Sequence, residues 1–290
     1  MWRYYNTNTG IYKCQRNEKY DCFVIFICSA ILEKNMLSNI GAYMIGDQDT
    51  RFVIDAWFDW SEVSEDSYFH KIPALTSSSA IPFSSNVTFL TGENGCGKSS
   101  VIEAVASACG FQRSGGTMRD YKHSDNSASE LGRACHVSRN GRRPIDNGFF
   151  FRAETFFNIA RGMPMTRDVG ISGKAASTYL EMSHGEGFLE FLQSQQYAGL
   201  FLMDEPEAAL SPQRQLTLLL HMHRMALSGS QFLIVTHSPI LLGLPGSSIL
   251  NFNESGIEEC SWEDTESYQI MKMFLDSREA VLYHLLDSEE

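Results

Sequence analysis

The sequence predicts an α/β fold: a mostly parallel central sheet flanked by helices, with a small antiparallel β part near the N-terminal region. Short, continuously apolar runs recur as VTFL, GFFF, LFLM and QFLIV, with helical patterns between them. Strands covered on both faces read this way, and parallel strands need such crossovers. The VTFL run leads into a glycine-rich turn and then a helix. Hydrophobic residues make up 43% of the 290, enough for a real core.

Arg51–Trp60 reads as a strand, followed over 61–85 by loop and a second short strand, with Pro73 and Pro82 as punctuation. Asn86–Leu90 is a buried strand and Ser99–Ala106 the helix after it. The stretch 115–148, rich in Gly, Ser, Asn and Arg, reads mostly as loop. A strand begins at Gly148 and passes into a helix; 169–187 is loop and 186–196 a helix. Ala198–Ala208 holds a buried strand ending in two acids. Leu210–Ser228 is an amphipathic helix, with Leu216, Leu219 and Leu220 recurring at helical spacing. Ser230–Ser238 is another buried strand, Ser247–Trp262 a hairpin, and Asp264–Leu286 two closing helices. No repeat, long heptad run or low-complexity tract interrupts this order.

Two domains are expected: an extension over 1–50 and one folded domain over 51–290. The extension contains Cys22–Leu32, an apolar run of eleven residues. A membrane span needs about 20, and no clear small-residue cleavage site follows. It reads as a buried strand or as the product of a mis-assigned start, with Met36 or Met44 as the true one.

The net charge of −12 argues against a protein that coats nucleic acid non-specifically, because phosphate contacts need Lys and Arg. One segment runs against this balance. Between Phe111 and Ile145 lie Arg113, Arg119, Lys122, Arg133, Arg139, Arg142 and Arg143, opposed by Asp120, Asp125 and Glu130. A solvated loop is favoured over a nucleic-acid groove there, since only Phe111 and Tyr121 offer stacking faces. The seven cysteines are odd in number and contain no C-x-x-C pair, which reads as free thiols in a reducing compartment.

The chemistry concentrates in a few motifs. Gly92-Glu93-Asn94-Gly95-Cys96-Gly97-Lys98-Ser99 fits the phosphate-loop pattern G-x-x-x-x-G-K-[ST] at every fixed position, and Ser100 follows. Backbone N–H groups of such a loop converge on one spot, the helix start adds partial positive charge, and a Cβ at Gly92, Gly95 or Gly97 would crowd the approach. Lys98 would reach the β- and γ-phosphates of a nucleotide, and the Ser99 hydroxyl would hold Mg²⁺. Strand before and helix after argue against a chance match. Leu200–Met203 ends in Asp204, placed to hold Mg²⁺ through water, and in Glu205, placed to polarise an attacking water. His237 stands at the tip of the next buried strand, where a γ-phosphate sensor would sit. Ser183 and the N–H groups around Gly185, with Glu186 next, open a helix and could donate to a phosphate. Cys96, within the loop, is read as a tolerated small residue in preference to a redox switch.

In this order the motifs resemble those of the ABC-class P-loop ATPases: Walker A, signature, Walker B with its glutamate, D-loop and switch histidine. GENGCGKSS, FFFRAETFFN, SHGEGFLEFL, LFLMDEPEAALSPQRQ and QFLIVTHSPILL more closely resemble the small bacterial AAA-family ATPases related to RecF, SMC-type and OLD-type proteins. The resemblance spans about 51–286 and implies a P-loop NTPase fold of ABC-ATPase type with ATP and Mg²⁺ as cofactors. It further implies a composite site: Gly92–Ser100, Asp204, Glu205 and His237 from one chain, Ser183 and Gly185 from a second. The partners so implied are ATP, a second copy in a homodimer and, as a candidate, double-stranded DNA, in a cytoplasmic protein acting in DNA repair or defence. The alternative is the nucleotide-binding subunit of an ABC membrane transporter.

Some positions depart from the pattern. His184 stands where Gly is usual in the signature, and Glu207 where transporter subunits carry Thr or Ser. No long coiled coil fits between Phe157 and Ser183. No clear Q-loop glutamine occurs, and Glu154 is the nearest candidate by position.

Overall fold

A computed structural model describes residues 49–113, 115–117, 128–141, 143–152, 184–195 and 197–287. The chain divides into two units, Met1–Gly46 and Asp47–Glu290, and every described residue lies in the second.

Ten strands form two sheets among the described residues. They are β1 (Val53–Phe58), β2 (Ile81–Pro82), β3 (Val87–Gly92), β4 (Gly116–Thr117), β5 (Cys135–Arg139), β6 (Gly148–Arg152), β7 (Leu200–Asp204), β8 (Gln231–Val235), β9 (Ser248–Asn253) and β10 (Gly256–Glu259). The large sheet runs β10-β9-β3-β8-β7-β6-β4 and the small one β2-β1-β5. Strands β9, β3, β8, β7 and β6 are mutually parallel; β10 and β4 close the edges antiparallel. The longer helices are α1 (Lys98–Ala108), α2 (His184–Gln193), α3 (Pro212–Leu227), α4 (Glu266–Asp276) and α5 (Arg278–Asp287).

Successive side chains of a strand point to opposite faces, so a central strand feeds two cores. Leu90, Leu202, Leu233, Val235 and Leu250 join the core under α1 and the small sheet. Phe89, Phe201, Met203, Phe232, Ile234 and Ile249 join the core under α2 and α3. Both faces being covered explains why these strands read as unbroken apolar runs.

Three expectations need correction. The described residues of 115–148 are not mostly loop: they contain β4, a helical turn at Glu130–Ala134 and β5. β5 pairs antiparallel with β1, Trp57 opposite His136 and Phe58 opposite Cys135. Its residues have no long apolar run because β5 is an edge strand with only part of its surface buried. The inward stripe of α3 is Leu218, Met222 and Ala226, spaced i, i+4, i+8, while Leu216 is exposed. Leu219 packs beside that stripe against the same core, so the leucine spacing marks the buried side but includes the exposed Leu216. The arginines of 111–145 are not simply solvated. Arg143 stacks its guanidinium 4.2 Å over Phe52 and donates to the Thr50 and Gly229 carbonyls. Arg139 donates to Ala108 O at 2.9 Å, and Arg133 to Ala128 O at 2.9 Å. Arg119, Lys122 and Arg142 lie outside the described residues.

The two sheets are joined through one side chain. Gln231, fully buried at the start of β8, accepts from the N–H groups of Phe52 and Val53 at 2.8 and 2.9 Å and donates to Val53 O at 2.7 Å. Buried backbone groups must be paired. Gln231→Leu leaves these three without that partner and is expected to lower the unfolding free energy by about 3 kcal/mol or more, at roughly 1–3 kcal/mol per stranded group. Urea unfolding measures this; a loss below about 1 kcal/mol would show that the joint lies elsewhere.

Candidate active site

The register of the parallel strands assembles the site. Arg152 pairs opposite Asp204, Asp204 opposite Val235, and Val235 opposite Leu90. The carboxyl ends of β6, β7, β8 and β3 therefore finish along one line, where open α/β sheets receive their ligands.

β3 runs out at Gly92, and α1 starts at Lys98. Gly92 has φ 129°, and a Cβ there would lie 2.2 Å from the Phe252 carbonyl oxygen. A Cβ at Gly97 would press on Leu75 at 3.2 Å, whereas one at Gly95 meets nothing within 4 Å. All three glycines have positive φ, so backbone conformation favours glycine at each, and at Gly92 and Gly97 packing against the protein itself adds to it. Glu93, Asn94 and Gly95 are exposed at the loop tip, while Cys96 and Ser100 are half-buried.

Lys98 is buried, and its Nζ donates to Gly92 O and Glu93 O, both at 2.6 Å. The ammonium thus closes the loop from within. The Cys96 thiol donates to Glu93 O at 2.9 Å and lies 3.6 Å from that ammonium. Cys109 and Cys135 lie in the core, and burial pushes both thiols up to about 12.

Ser99 Oγ donates to Asp204 Oδ1 at 2.9 Å. A hydroxyl and a carboxylate in contact at a phosphate loop are the hard oxygen donors Mg²⁺ takes, so the residues fit the ion. Glu205 adopts φ 50°, ψ 55° and is the one non-glycine residue with positive φ among the described residues. That conformation costs about 1–2 kcal/mol for an L-residue. Its N–H donates to Val235 O at 3.0 Å, and its side chain is exposed. Strain held at a strand tip is itself a pointer to function.

His237 is half-buried. Burial first, then the Lys98 charge, lowers its pKa, so the ring is neutral at neutral pH. Its Nε2 is sealed from solvent without a hydrogen-bond partner, a donor or acceptor left for a ligand. The His237 N–H donates to Glu207 Oε1 at 2.7 Å. Ser238 Oγ donates to Gln215 Oε1 at 2.6 Å, tying the switch segment to α3.

Lys98, Ser99, Asp204, Glu205 and His237 are thus brought to one sheet edge. Ser183, the signature serine, and Glu154 lie outside the described residues. Gly185 and Glu186 fall in the first turn of α2, which begins at His184, two residues earlier than expected.

Sequence reasoning missed three contributors. Glu207 was legible only as a departure from pattern. Glu103 is buried in α1, and Arg152 ends β6; Arg152 pairs with Glu103 and lies 3.7 Å from the Asp204 carboxylate. A signal existed for Arg152, a charge closing the run GFFF as Asp204 closes LFLM.

Two family models match. Residues 69–174 match "AAA domain", and residues 187–243 match "AAA domain, putative AbiEii toxin, Type IV TA system". The fold and the two AAA-type matches fit a P-loop NTPase. No curated protein matches the chain. Similar solved structures include the SMC head domain from Thermotoga maritima, at 12% identity over 73% of this chain and 99% of that one, TM-score 0.39. They also include cbiO1 from Clostridium perfringens, described as part of the ABC transporter complex cbiONQ, at 15% identity over 82% and 100%, TM-score 0.41. A third is an SMC head bound to the C-terminal winged-helix domain of ScpA, at 12% identity over 63% and 93%, TM-score 0.43. Among the described residues no helix is long and apolar enough to cross a membrane.

Burial raises the Glu207 carboxyl above the ordinary glutamate value of 4.5. The folded state then binds this proton more tightly than the unfolded state, so its stabilising contribution is complete below 4.5 and is lost as pH rises through the raised value. Glu207→Gln keeps the acceptor for His237 N–H and removes the titration. Melting curves are expected to show the variant gaining on wild type from acid to neutral pH; parallel curves would exclude a raised Glu207.

Proposed function

We propose that this chain is a Mg²⁺-dependent ATPase whose complete sites form between two copies held head to tail by ATP. The observation that carries the reading is the Ser99–Asp204 contact beside the buried Lys98 ammonium and the unpartnered His237 Nε2. Together they supply a metal-binding oxygen pair, a phosphate cation and a free imidazole nitrogen at one strand edge.

In this reading, Lys98 leaves the Gly92 and Glu93 carbonyls for the β- and γ-phosphates. Ser99 and Asp204 would hold the ion, which when bound neutralises developing charge on the phosphate oxygens. Glu205 polarises the attacking water from its exposed position, and the neutral His237 ring contacts the γ-phosphate. Ser183 and the N–H groups of the Gly185–Glu186 turn, from a second copy, cap that phosphate with a helix N-terminus. Each chain carries one of each motif, so two chains make two complete sites. A cytoplasmic role in DNA repair or defence extends the same reading.

Glu205→Gln is expected to bind ATP, lose about 100-fold or more in turnover, as removal of a general base does, and accumulate at twice the monomer mass in ATP. Light scattering and phosphate release measure both. Lys98→Ala should lose nucleotide binding. Ser183→Arg should bind ATP as a monomer without hydrolysing it; normal hydrolysis by that variant would rule out the composite site. Faster wild-type turnover on double-stranded DNA supports the DNA-linked role, and indifference to DNA removes it.

A further inference from the structure

Four charged or polar side chains form a closed square at the metal edge. Ser99 and Glu103 lie one turn apart on α1, so i, i+4 spacing puts them on the same face. Arg152 and Asp204 are register partners across β6 and β7. Ser99 Oγ meets Asp204 Oδ1 at 2.9 Å, and Arg152 Nη1 donates to Glu103 Oε2 at 2.9 Å. The fourth side is looser, with Arg152 Nη2 at 3.7 Å from Asp204 Oδ2. Arg113 Nε reaches the other Glu103 oxygen at 2.9 Å from a largely exposed position. Arg152 Nε is buried with no partner, so the guanidinium is under-bonded where it stands.

An arginine between two buried carboxylates cannot discharge. It is shared, and the distances give Glu103 the larger share. From these contacts we infer that Arg152 is a positioning residue acting through Asp204: its charge stands in for the metal at Asp204, and Glu103 sets how readily it withdraws. The inference rests on the ATPase reading above.

A divalent cation held by Ser99 and Asp204 would repel the guanidinium, since like charges oppose each other most strongly where water is scarce. Arg152 has somewhere to go, because Glu103 already holds it. Arg113 competes for the same carboxylate, so an exposed residue ahead of β4 bears on the metal site. Ser99 and Glu103 share one rigid helix turn, so movement of the phosphate loop shifts both ends of the square together.

The test uses the full chain and the fluorescent nucleotide mant-ADP, reading affinity with and without Mg²⁺; the quantity is the ratio of the two. Arg152→Gln removes the opposing charge and is expected to raise the ratio about fivefold or more, within the usual range of coupling between sites. Glu103→Gln releases Arg152 onto Asp204 and should lower it. Arg113→Ala, at a position exposed enough to spare the fold, leaves Glu103 to Arg152 alone and should raise it. Arg152→Lys, keeping the charge, should stay near wild type. Opposite signs for Arg152→Gln and Glu103→Gln are the signature; general damage to the site would move both downward. Ratios unchanged within about twofold for Arg152→Gln and Arg113→Ala, or a raised ratio for Glu103→Gln, overturn the inference and leave the ATPase reading standing. Failure of wild type to bind mant-ADP at all removes the ATPase reading, and this inference with it.

Discussion

The parallel register of β6, β7, β8 and β3 is the constraint on which the rest depends. Pairing Arg152 with Asp204, Asp204 with Val235, and Val235 with Leu90 ends four strands together. The loops leaving that line carry the chemistry, because a strand tip is the last point at which the sheet holds a residue rigidly. A one-residue slip of β7 would turn Asp204 to the other face of the sheet and part it from Ser99. The apolar runs make such a slip costly, since Leu202 and Met203 belong to different cores.

Electrostatics at this edge is arranged in pairs of opposing demands. Asp204 is shared between a hydroxyl and a guanidinium, Glu103 between two arginines, and Lys98 between two carbonyls of its own loop. His237 and Glu207 follow the same logic: one Glu207 oxygen positions the switch backbone, while Glu207 Oε2 and His237 Nε2 stay sealed and unpaired. Unpaired polar atoms are costly to bury, and their gathering beside a strained Glu205 marks the place where stability yields to function.

The small antiparallel sheet does a different job. It covers α1, the helix that starts at the phosphate loop, and Gln231 fastens it to the large sheet through backbone groups of β1. The loop glycines depend on neighbours of their own: Gly97 packs on Leu75, in the helical turn Pro73–Thr76, and Gly92 on the β9 backbone at Phe252. The conformation of the phosphate loop is thus set from outside as much as by its own residues.

The fold class and every strand but β4 and β5 were legible in the residues, and the candidates at 92–100, 204, 205 and 237 could be named from them. Their signals are local: an apolar run means burial on both faces, and a glycine loop between strand and helix has one common use. Strand β5, the buried stripe of α3 and the Arg152–Glu103 pair were not legible. An edge strand borrows its order from its partner, so CHVSR has no pattern of its own. The face a helix buries depends on where the sheet lies, and so Met222 and Ala226 are buried while the more apolar Leu216 is exposed. Arg152 and Glu103 lie 49 residues apart, and nothing short-range couples them. Local chemistry was written in the chain; which charges meet was decided by packing, because an ion pair depends on distance in space and the sequence records only distance along the backbone.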